Sequence, residues 1–242
     1  MANFYLREDL ADASVGGVVE LVGAEARHIA TVARTRPGER LLVGNGAGLV
    51  VGGLAESVAA AAVTLRVDAV RRESPPSPSV TLVQALAKGD RDELAVQAAT
   101  ELGVDAVVPW QAERSVSRWA GPKAEKGRER WAAIVREAAK QSMRPWLPGV
   151  EELATTRRLG DLAERARMLV LEPGAEHPLT ALEPDGRDLV LVVGPEGGIS
   201  PAELEALDAA GAEPVRLGPE VLRTSTAGPA ALAVLNAKLH RW

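Results

Sequence analysis

The segment 191–203 constrains the fold of this chain more than any other part of the sequence. An apolar stretch leads into the glycine-rich run 194–198, and a helix start follows directly, with Ser200 placed to be the N-cap. Pro201 suits the first helical position and Glu203 completes a capping box. Three glycines exceed what a plain strand-to-helix turn needs. The segment therefore predicts an open α/β sheet whose ligand approaches the backbone at the end of this strand.

The chain changes character at a proline-rich segment, 71–78, which the sequence predicts to be a linker. Before it, short apolar stretches broken by glycine predict a small β barrel or sandwich with one helix at 24–35. After it, strands and helices alternate, which predicts a mostly parallel sheet covered on both faces. We therefore expect two domains, residues 1–72 and residues 73–242.

The expected elements can be placed along both domains. The strands of the first are predicted at 18–21, 41–43, 50–54 and 63–70. Those of the second are predicted at 80–85, 106–110, 168–171, 189–193 and 215–217, with helices at 91–102, 123–141, 200–210 and 226–240.

Composition excludes several classes of protein. The chain has no cysteine, which rules out disulfides, thiol catalysis and cysteine-ligated metals, and its three histidines are far apart, so we expect no metal site. No apolar run approaches the roughly 20 residues that span a bilayer, and the first residues are charged where a signal peptide is apolar. We expect a cytoplasmic protein.

The net charge of −5 conceals a basic stretch. Residues 113–148 contain nine basic and four acidic side chains, a pattern that fits either a surface that follows RNA phosphates or a solvated helix of mixed charge. Four of the five tryptophans also lie at 110–146. They are expected to be mainly core residues, with stacking on unpaired bases as the alternative.

A second loop begins where the strand predicted at 215–217 ends. In it, Arg223 precedes three hydroxyl residues, Thr224, Ser225 and Thr226, and then an apolar helix. One of the hydroxyls is expected to cap that helix. Three hydroxyls beside an arginine exceed what a cap requires, which favours a ligand-binding loop. Neither this loop nor the run 194–198 matches a P-loop or a dinucleotide fingerprint, so nothing calls for a phosphate.

The two loops closely resemble those of the SPOUT superfamily of knotted methyltransferases, in particular the bacterial 16S rRNA uridine-N3 methyltransferases. The matching residues are Gly194-Pro195-Glu196-Gly197-Gly198, Leu217-Gly218-Pro219 and Val221-Leu222-Arg223-Thr224. The resemblance continues through Lys88-Gly89, 100–104, 113–114 and 137–144. It implies a trefoil-knotted α/β methyltransferase domain at the C-terminus, preceded by a small PUA-like β-barrel domain that binds RNA. It also implies S-adenosylmethionine as methyl donor, 16S rRNA or the small ribosomal subunit as partner, and a homodimer whose site uses both subunits.

The resemblance also assigns site residues. The implied cofactor contacts are Leu171, Glu172, Pro173, Gly194, Pro195, Glu196, Gly197, Gly198, Leu217, Gly218, Leu222, Thr224, Ser225, Thr226 and Ala227. Most of these would act through exposed backbone groups, and a side chain at Gly197 is expected to block the cofactor. The implied RNA contacts are Arg7, His28, Arg34 and Arg36, and the basic stretch adds Arg114, Arg118 and Arg144.

Arg223 is the expected catalytic residue, because a guanidinium can stabilise negative charge that develops on the uracil carbonyl oxygens. Glu196 is either the group that takes the N3 proton or a structural carboxylate that binds amides of its own loop. The chain departs from the family pattern at Glu220, Ser225 and Ala98, so no essential role is assigned to those side chains. The alternatives are a related knotted methyltransferase acting on a ribose 2′-hydroxyl or on tRNA, and a non-catalytic RNA-binding protein that has kept the fold.

Overall fold

A computed structural model describes residues 3–242, which form two compact units. The first contains the described residues up to Pro75 together with Ala139–Leu147, and the second contains Pro76–Ala138 and Pro148–Trp242.

The first unit is built on a five-stranded mixed sheet. Its elements are β1 (Asn3–Leu6), β2 (Val18–Val22), α1 (Gly23–Arg27) continued by a π-helical turn (His28–Val32), β3 (Arg40–Gly44), β4 (Leu49–Val58) and β5 (Ala62–Arg72). The strand order is β1-β3-β4-β5-β2, in which only the β1–β3 pair is parallel. The side chain of Arg7 donates to the Glu20 carbonyl oxygen in β2 at 2.9 Å. This bond connects the residue that follows β1 to β2, the strand at the other edge of the sheet.

The sequence analysis did not predict β1. It also drew one domain boundary, between residues 72 and 73, whereas the first unit includes the later segment Ala139–Leu147. β1 is only four residues long and carries no turn signal. The predicted second domain, residues 73–242, also contains a segment that packs on the first unit. The backbone N–H of Gly48 donates to the Pro145 carbonyl at 2.9 Å, and that of Leu147 donates to the Gly46 carbonyl at 2.9 Å. Such pairing between distant segments leaves no local sign in the sequence.

The second unit contains a six-stranded sheet in which every pair of neighbouring strands is parallel. Its strands are β6 (Val80–Ala85), β7 (Ala106–Trp110), β8 (Gly149–Val150), β9 (Arg167–Leu171), β10 (Leu189–Val193) and β11 (Glu213–Val215), in the order β11-β9-β10-β6-β7-β8. Its helices are α2 (Arg91–Glu101), α3 (Pro122–Gln141, whose last residues belong to the first unit), α4 (Thr156–Ala163), α5 (Pro201–Ala209) and α6 (Thr224–Lys238), with a 3-10 turn at Leu179–Ala181.

The parallel sheet and the helix start at Ser200 are confirmed. The Ser200 hydroxyl accepts from the Glu203 N–H and the Glu203 carboxylate accepts from the Ser200 N–H, both at 3.2 Å, as a capping box predicts. The last strand and the last helix both lie two residues earlier than expected, at Glu213–Val215 and Thr224–Lys238. The sequence analysis did not predict α4 or the two-residue strand β8.

Candidate functional site

A cavity of about 390 Å³ lies at the carboxyl ends of β9, β10 and β11. These three strands are neighbours in the sheet, so the loops that follow them meet at one edge, where open α/β sheets bind ligands. The lining residues are Arg91, Leu171, Glu172, Pro173, Val193, Gly194, Pro195, Glu196, Gly198, Ile199, Val215, Arg216, Leu217, Gly218, Glu220, Val221, Leu222, Arg223, Thr224 and Ala227. Twelve of the fifteen residues that the sequence suggested for the cofactor are among them, as is Arg223.

The loop after β11 presents backbone donors that have no partner within the described chain. No intramolecular hydrogen bond is made by the N–H groups of Leu217, Gly218, Glu220, Val221 or Leu222 in residues 3–242. All five residues line the cavity. Backbone donors that lack a partner within the protein are usually completed by water or by a ligand.

Glu196 is already engaged by other residues. Its Oε1 accepts from the Lys88 N–H at 3.1 Å and from the Arg91 guanidinium at 3.0 Å. Burial by itself would raise the pKa of Glu196, but hydrogen bonds from its own N–H, from Lys88 and from Arg91 outweigh that effect and hold the pKa below its ordinary value. A carboxylate with a lowered pKa and bound donors is a poor proton acceptor. The geometry favours a structural role for Glu196 over a role as acceptor of the N3 proton.

Arg216, which the sequence analysis did not single out, fixes the loop after β9. Its guanidinium donates to the carbonyl oxygen of Ala175 at 2.7 Å and to that of Glu176. Its N–H donates to the His177 carbonyl at 2.9 Å. Arg216 and Arg91 both line the cavity. The only sign of this in the sequence is that each lies next to, or close to, residues of the family motifs at 88–89 and 217–219.

The three hydroxyl residues do not cap α6. Arg223 is the N-cap residue, and no side chain makes a capping hydrogen bond there. The Thr224 hydroxyl instead donates to the Gly194 carbonyl at 2.9 Å, which ties the start of α6 to the glycine-rich loop. Ser225 and Thr226 do not line the cavity.

Gly197 also lies outside the cavity lining, so the geometry does not support the expectation that a side chain there would block a cofactor. A Cβ atom at Gly197 would lie 3.2 Å from the Cβ atom of Arg114. Gly198 does line the cavity and has a φ of +72°, a conformation that favours glycine.

Arg223 lies at the rim of the cavity with its side chain uncommitted. It is exposed, and no hydrogen bond or ion pair of its side chain is found in the described part of the chain. Within the described residues, Arg223 therefore does not tie its loop to an acidic neighbour.

The expected RNA contacts of the first unit differ in whether their side chains already bind other residues of the chain. Arg34 and Arg36 are exposed, and their side chains make no hydrogen bond or ion pair within residues 3–242. His28 is exposed and packs edge-on against Tyr5, with 5.9 Å between ring centroids. Arg7 is bound to Asp9 and to the backbone of β2. Arg144 also belongs to this unit.

Much of the basic stretch at 113–148 is engaged by other groups. Arg128 pairs with Glu125, Arg130 pairs with Glu93, and Lys140 forms a largely buried pair with Glu25. Most of α3 therefore fits the second alternative given for the basic stretch, a solvated helix of mixed charge. Arg114 and Arg118 are exposed but donate to the carbonyl oxygens of Gly197 and Glu113, respectively.

The tryptophans of that stretch are mainly core residues, as expected. Trp110 and Trp131 are fully buried. Trp131 packs edge-on against the half-buried Trp119, with 5.3 Å between ring centroids. Trp146 is half-buried and donates to the Glu73 carbonyl at 3.1 Å.

Two negative findings apply to residues 3–242. No cluster of three or more histidine, aspartate or glutamate side chains is arranged to hold a metal ion. No helix in this range is long and apolar enough to span a membrane.

Comparison with known proteins matches both parts of the chain. Residues 74–236 match the family described as RNA methyltransferase domain, and residues 21–51 match the one described as RNA methyltransferase PUA domain. The ribosomal RNA small subunit methyltransferase E of Mycobacterium bovis is 45% identical over 235 residues, which cover 94% of this chain and 89% of that protein. The chain belongs to the ribosomal RNA small subunit methyltransferase E family.

Other members of the methyltransferase E family extend this result. The Bacillus subtilis member is 33% identical over 89% of this chain and 88% of its own length. The crystal structure of the Neisseria gonorrhoeae member, bound to S-adenosylmethionine, superposes with a TM-score of 0.87 at 28% identity and covers 98% of both chains. The predicted fold class, a PUA-like domain followed by a SPOUT methyltransferase domain, is confirmed by these matches.

Proposed function

We propose that this chain transfers the methyl group of S-adenosylmethionine to N3 of one uridine in 16S rRNA of the small ribosomal subunit. Membership of the methyltransferase E family supports rRNA methylation with this methyl donor, and the Neisseria gonorrhoeae relative was crystallised with it. The choice of uridine N3 rests on the resemblance of the two loops. We place the activity in the cytoplasm.

The observation that carries the proposal is the unpaired backbone at the cavity. S-adenosylmethionine has an adenine edge and an amino acid end that need hydrogen bonds, and it has no phosphate. Donors at 217–222 suit such a molecule better than a cationic cradle would. The charged residues of the lining, three arginines and three glutamates, balance each other. The volume of about 390 Å³ falls within the range of small-molecule sites.

The residues of the chain then have separate roles. The bound cofactor supplies an electrophilic methyl group on its sulfonium. Arg223 points no side-chain donor at another residue within the described chain, so its guanidinium is available to a uracil carbonyl on which negative charge develops. Glu196 holds the segment 88–91 against the glycine-rich loop and takes no proton.

We also propose that the chain acts as a homodimer. One side of α6 is buried through Ala231, Leu232 and Leu235, while Ala233 and Val234 stay half-exposed. Val221, beside the cavity, is 78% exposed. A second copy would cover these apolar side chains. Light scattering at micromolar concentration should give twice the chain mass, and a single-chain mass would reject the dimer.

The RNA surface is proposed on the exposed arginines. Arg34 and Arg36 have no intramolecular partner in the described chain and are the best placed of the suspected contacts to meet phosphates. Replacing both with alanine should weaken RNA binding and reduce its salt dependence without changing cofactor affinity. The remaining suspected contacts are proposed as weaker contributors: Arg7, His28, Arg114, Arg118 and Arg144.

Nucleoside analysis by mass spectrometry tests the reaction. Ribosomal RNA from cells that lack the protein should lack 3-methyluridine in 16S rRNA, and complementation should restore it. Loss of a 2′-O-methyl nucleoside or of a tRNA modification would favour a related methyltransferase activity. Tight binding of S-adenosylmethionine with no change in any RNA would establish the non-catalytic alternative.

A further inference from the structure

A buried amide lies behind the cavity on strand β6. Gln84 is fully buried, and its side-chain Nε2 donates to the Thr224 Oγ1 at 2.8 Å and to the Ala85 carbonyl at 3.2 Å. Its Oε1 is also buried and has no hydrogen-bond partner among the described residues. Leu82, two residues earlier on the same face of the strand, packs against Gly228 of α6. A hydrophobic residue at position 84 would therefore fit this core without leaving an unpaired oxygen.

The contacts of Gln84 determine which atom donates in each hydrogen bond of the series Gln84–Thr224–Gly194. The reverse orientation of the amide would bring Oε1 against the Ala85 carbonyl oxygen, so that two acceptors would face each other. The Nε2 group therefore donates to the Thr224 hydroxyl. That hydroxyl has one proton of its own and gives it to the Gly194 carbonyl at 2.9 Å. Gln84 thus commits Thr224 to donate toward Gly194.

Two of the three residues in this series of hydrogen bonds, Thr224 and Gly194, belong to the cavity. Gly194 is the first residue after β10, Thr224 is the first residue of α6, and both line the cavity. Arg223 directly precedes Thr224. The Thr224 hydroxyl therefore links the start of α6, where Arg223 is the N-cap residue, to the glycine-rich loop.

We propose that Gln84 is a positioning residue for methyl transfer, which sets the Thr224 hydroxyl and thereby holds Arg223 in register with the glycine-rich loop. This inference rests on the proposed function, because it takes the cavity as the cofactor site and Arg223 as the group that acts on the uracil. The unpaired Oε1 supports it. A buried oxygen without a donor lowers stability, so an amide at this position is explained better by its effect on Thr224 than by packing.

Gln84→Met tests the proposal, because methionine has a similar length and removes both the donor and the unpaired oxygen. The single-turnover rate of methyl transfer should fall about 10-fold or more, because small displacements of a catalytic group have large effects on rate. The melting temperature should be unchanged or higher, and the dissociation constant of S-adenosylmethionine should stay within a few-fold. Leu82→Met is the matched control, since it repacks the same face of β6 without removing a hydrogen bond, and its rate should match the wild type.

Two further variants keep the test decisive if Gln84→Met folds poorly. Gln84→Leu removes the same donor with a branched side chain, so the Thr224 hydroxyl loses its orienting partner and the rate should fall as in Gln84→Met. In a Thr224→Val background, which removes the hydroxyl, Gln84→Met should reduce the rate no further.

Activity of the wild-type protein tests the proposed function, and the activity of the variants tests the positioning role of Gln84. Absence of methyl transfer by the wild-type protein would reject the proposed function itself. With an active wild type, a normal rate in Gln84→Met would overturn the positioning role. Equal losses of melting temperature, cofactor affinity and rate would overturn it as well, because they would indicate a purely structural residue. Independent effects of the Gln84 and Thr224 substitutions would also contradict it.

Discussion

The Arg114 guanidinium donates to the Gly197 carbonyl oxygen at 3.2 Å, and the backbone of Gly197 passes against the stem of the Arg114 side chain. The two residues are 83 positions apart in the sequence. Of the three glycines in the loop, Gly197 is thus the one that accommodates a neighbouring segment, while Gly194 and Gly198 line the cavity. A glycine-rich motif identifies a close approach of backbone, but it does not tell which glycine meets the ligand.

Gly198 and Gly186 offer a matched test of the cavity. Both have positive φ, +72° and +85°, and a Cβ atom added at either position would have no neighbouring atom within 4 Å. Alanine should therefore lower the free energy of unfolding by a similar amount at each, about 1–2 kcal/mol. Only Gly198 lines the cavity, so only Gly198→Ala should weaken the binding of S-adenosylmethionine. Calorimetric titration of both variants checks this, and equal affinities would remove Gly198 from the cofactor site.

Glu203 is expected to contribute far more to stability than its neighbour Glu205 on the same helix. Its buried carboxylate accepts from the Glu113 N–H at 2.9 Å and from the Thr156 hydroxyl at 2.8 Å, besides completing the capping box. Since each buried donor left without an acceptor costs about 1–3 kcal/mol, Glu203→Ala should lower the free energy of unfolding by more than about 2 kcal/mol.

Glu205 is exposed, and Glu205→Ala should change the stability by less than about 0.5 kcal/mol. Urea unfolding of both variants measures the difference. Similar values for the two would mean that the network around Glu203 does not hold the loop at 111–119.

Local patterns in the sequence were sufficient for the sheet and for the helix start at Ser200. A buried parallel strand and a capping box are specified by consecutive residues, so β6, β7 and β10 were predicted to the residue. The side-chain partners were not predictable in this way. One of the three hydroxyls at 224–226 was expected to cap the helix because only neighbouring residues were visible. The partner of the Thr224 hydroxyl, the amide of Gln84, is 140 positions away in the sequence.

The same limit explains the other errors in the site. Arg91 and Arg216 line the cavity because of tertiary contacts with Glu196 and with the carbonyl oxygens of 175 and 176, and neither contact leaves a pattern in the sequence. The segment Ala139–Leu147 was assigned to the second domain because it continues a helical pattern, although its last residues pair with the first unit. Sequence order and family resemblance located the loops, and the folded chain determined which atoms face the cavity.

The ion pair between Glu196 and Arg91 predicts a specific dependence of stability on pH. The pKa of Glu196 is lowered in the folded chain from an ordinary value of 4.5, so its stabilising contribution is present above that value and is lost as the pH falls through the lowered pKa. Glu196→Gln should therefore lower the free energy of unfolding at neutral pH by about 0.5–1 kcal/mol, given the partial exposure of the pair.

Urea unfolding of the wild type and of Glu196→Gln, followed from about pH 7 to about pH 3, should show the two stabilities converging below the ordinary carboxyl range. Glu220→Gln is the control, because Glu220 lines the same cavity but is exposed and has no ion pair in the described chain. A difference that grows with acidity would contradict the assignment. Methyl transfer by Glu196→Gln at neutral pH should persist, since this carboxylate is not expected to take the N3 proton.

Arg223 should act on the reacting uracil and not on the methyl donor. Its side chain has no intramolecular partner in residues 3–242, so its removal should leave the melting temperature unchanged. Arg223→Ala should lower the single-turnover rate by about 10²–10³-fold, the effect of removing one donor that stabilises developing negative charge. The affinity for S-adenosylmethionine should stay within a few-fold, because most of the proposed cofactor contacts come from backbone groups.

Arg223→Lys should restore little of the rate, because a compact ammonium does not reproduce the planar fork of a guanidinium. Arg157→Ala is the control for loss of one positive charge, since Arg157 is exposed on α4 and does not line the cavity. Melting temperature, cofactor affinity and single-turnover rate should be measured on the same preparation of each variant. If Arg223→Ala lost stability and affinity together, the arginine would be structural, and a normal rate would remove it from the mechanism.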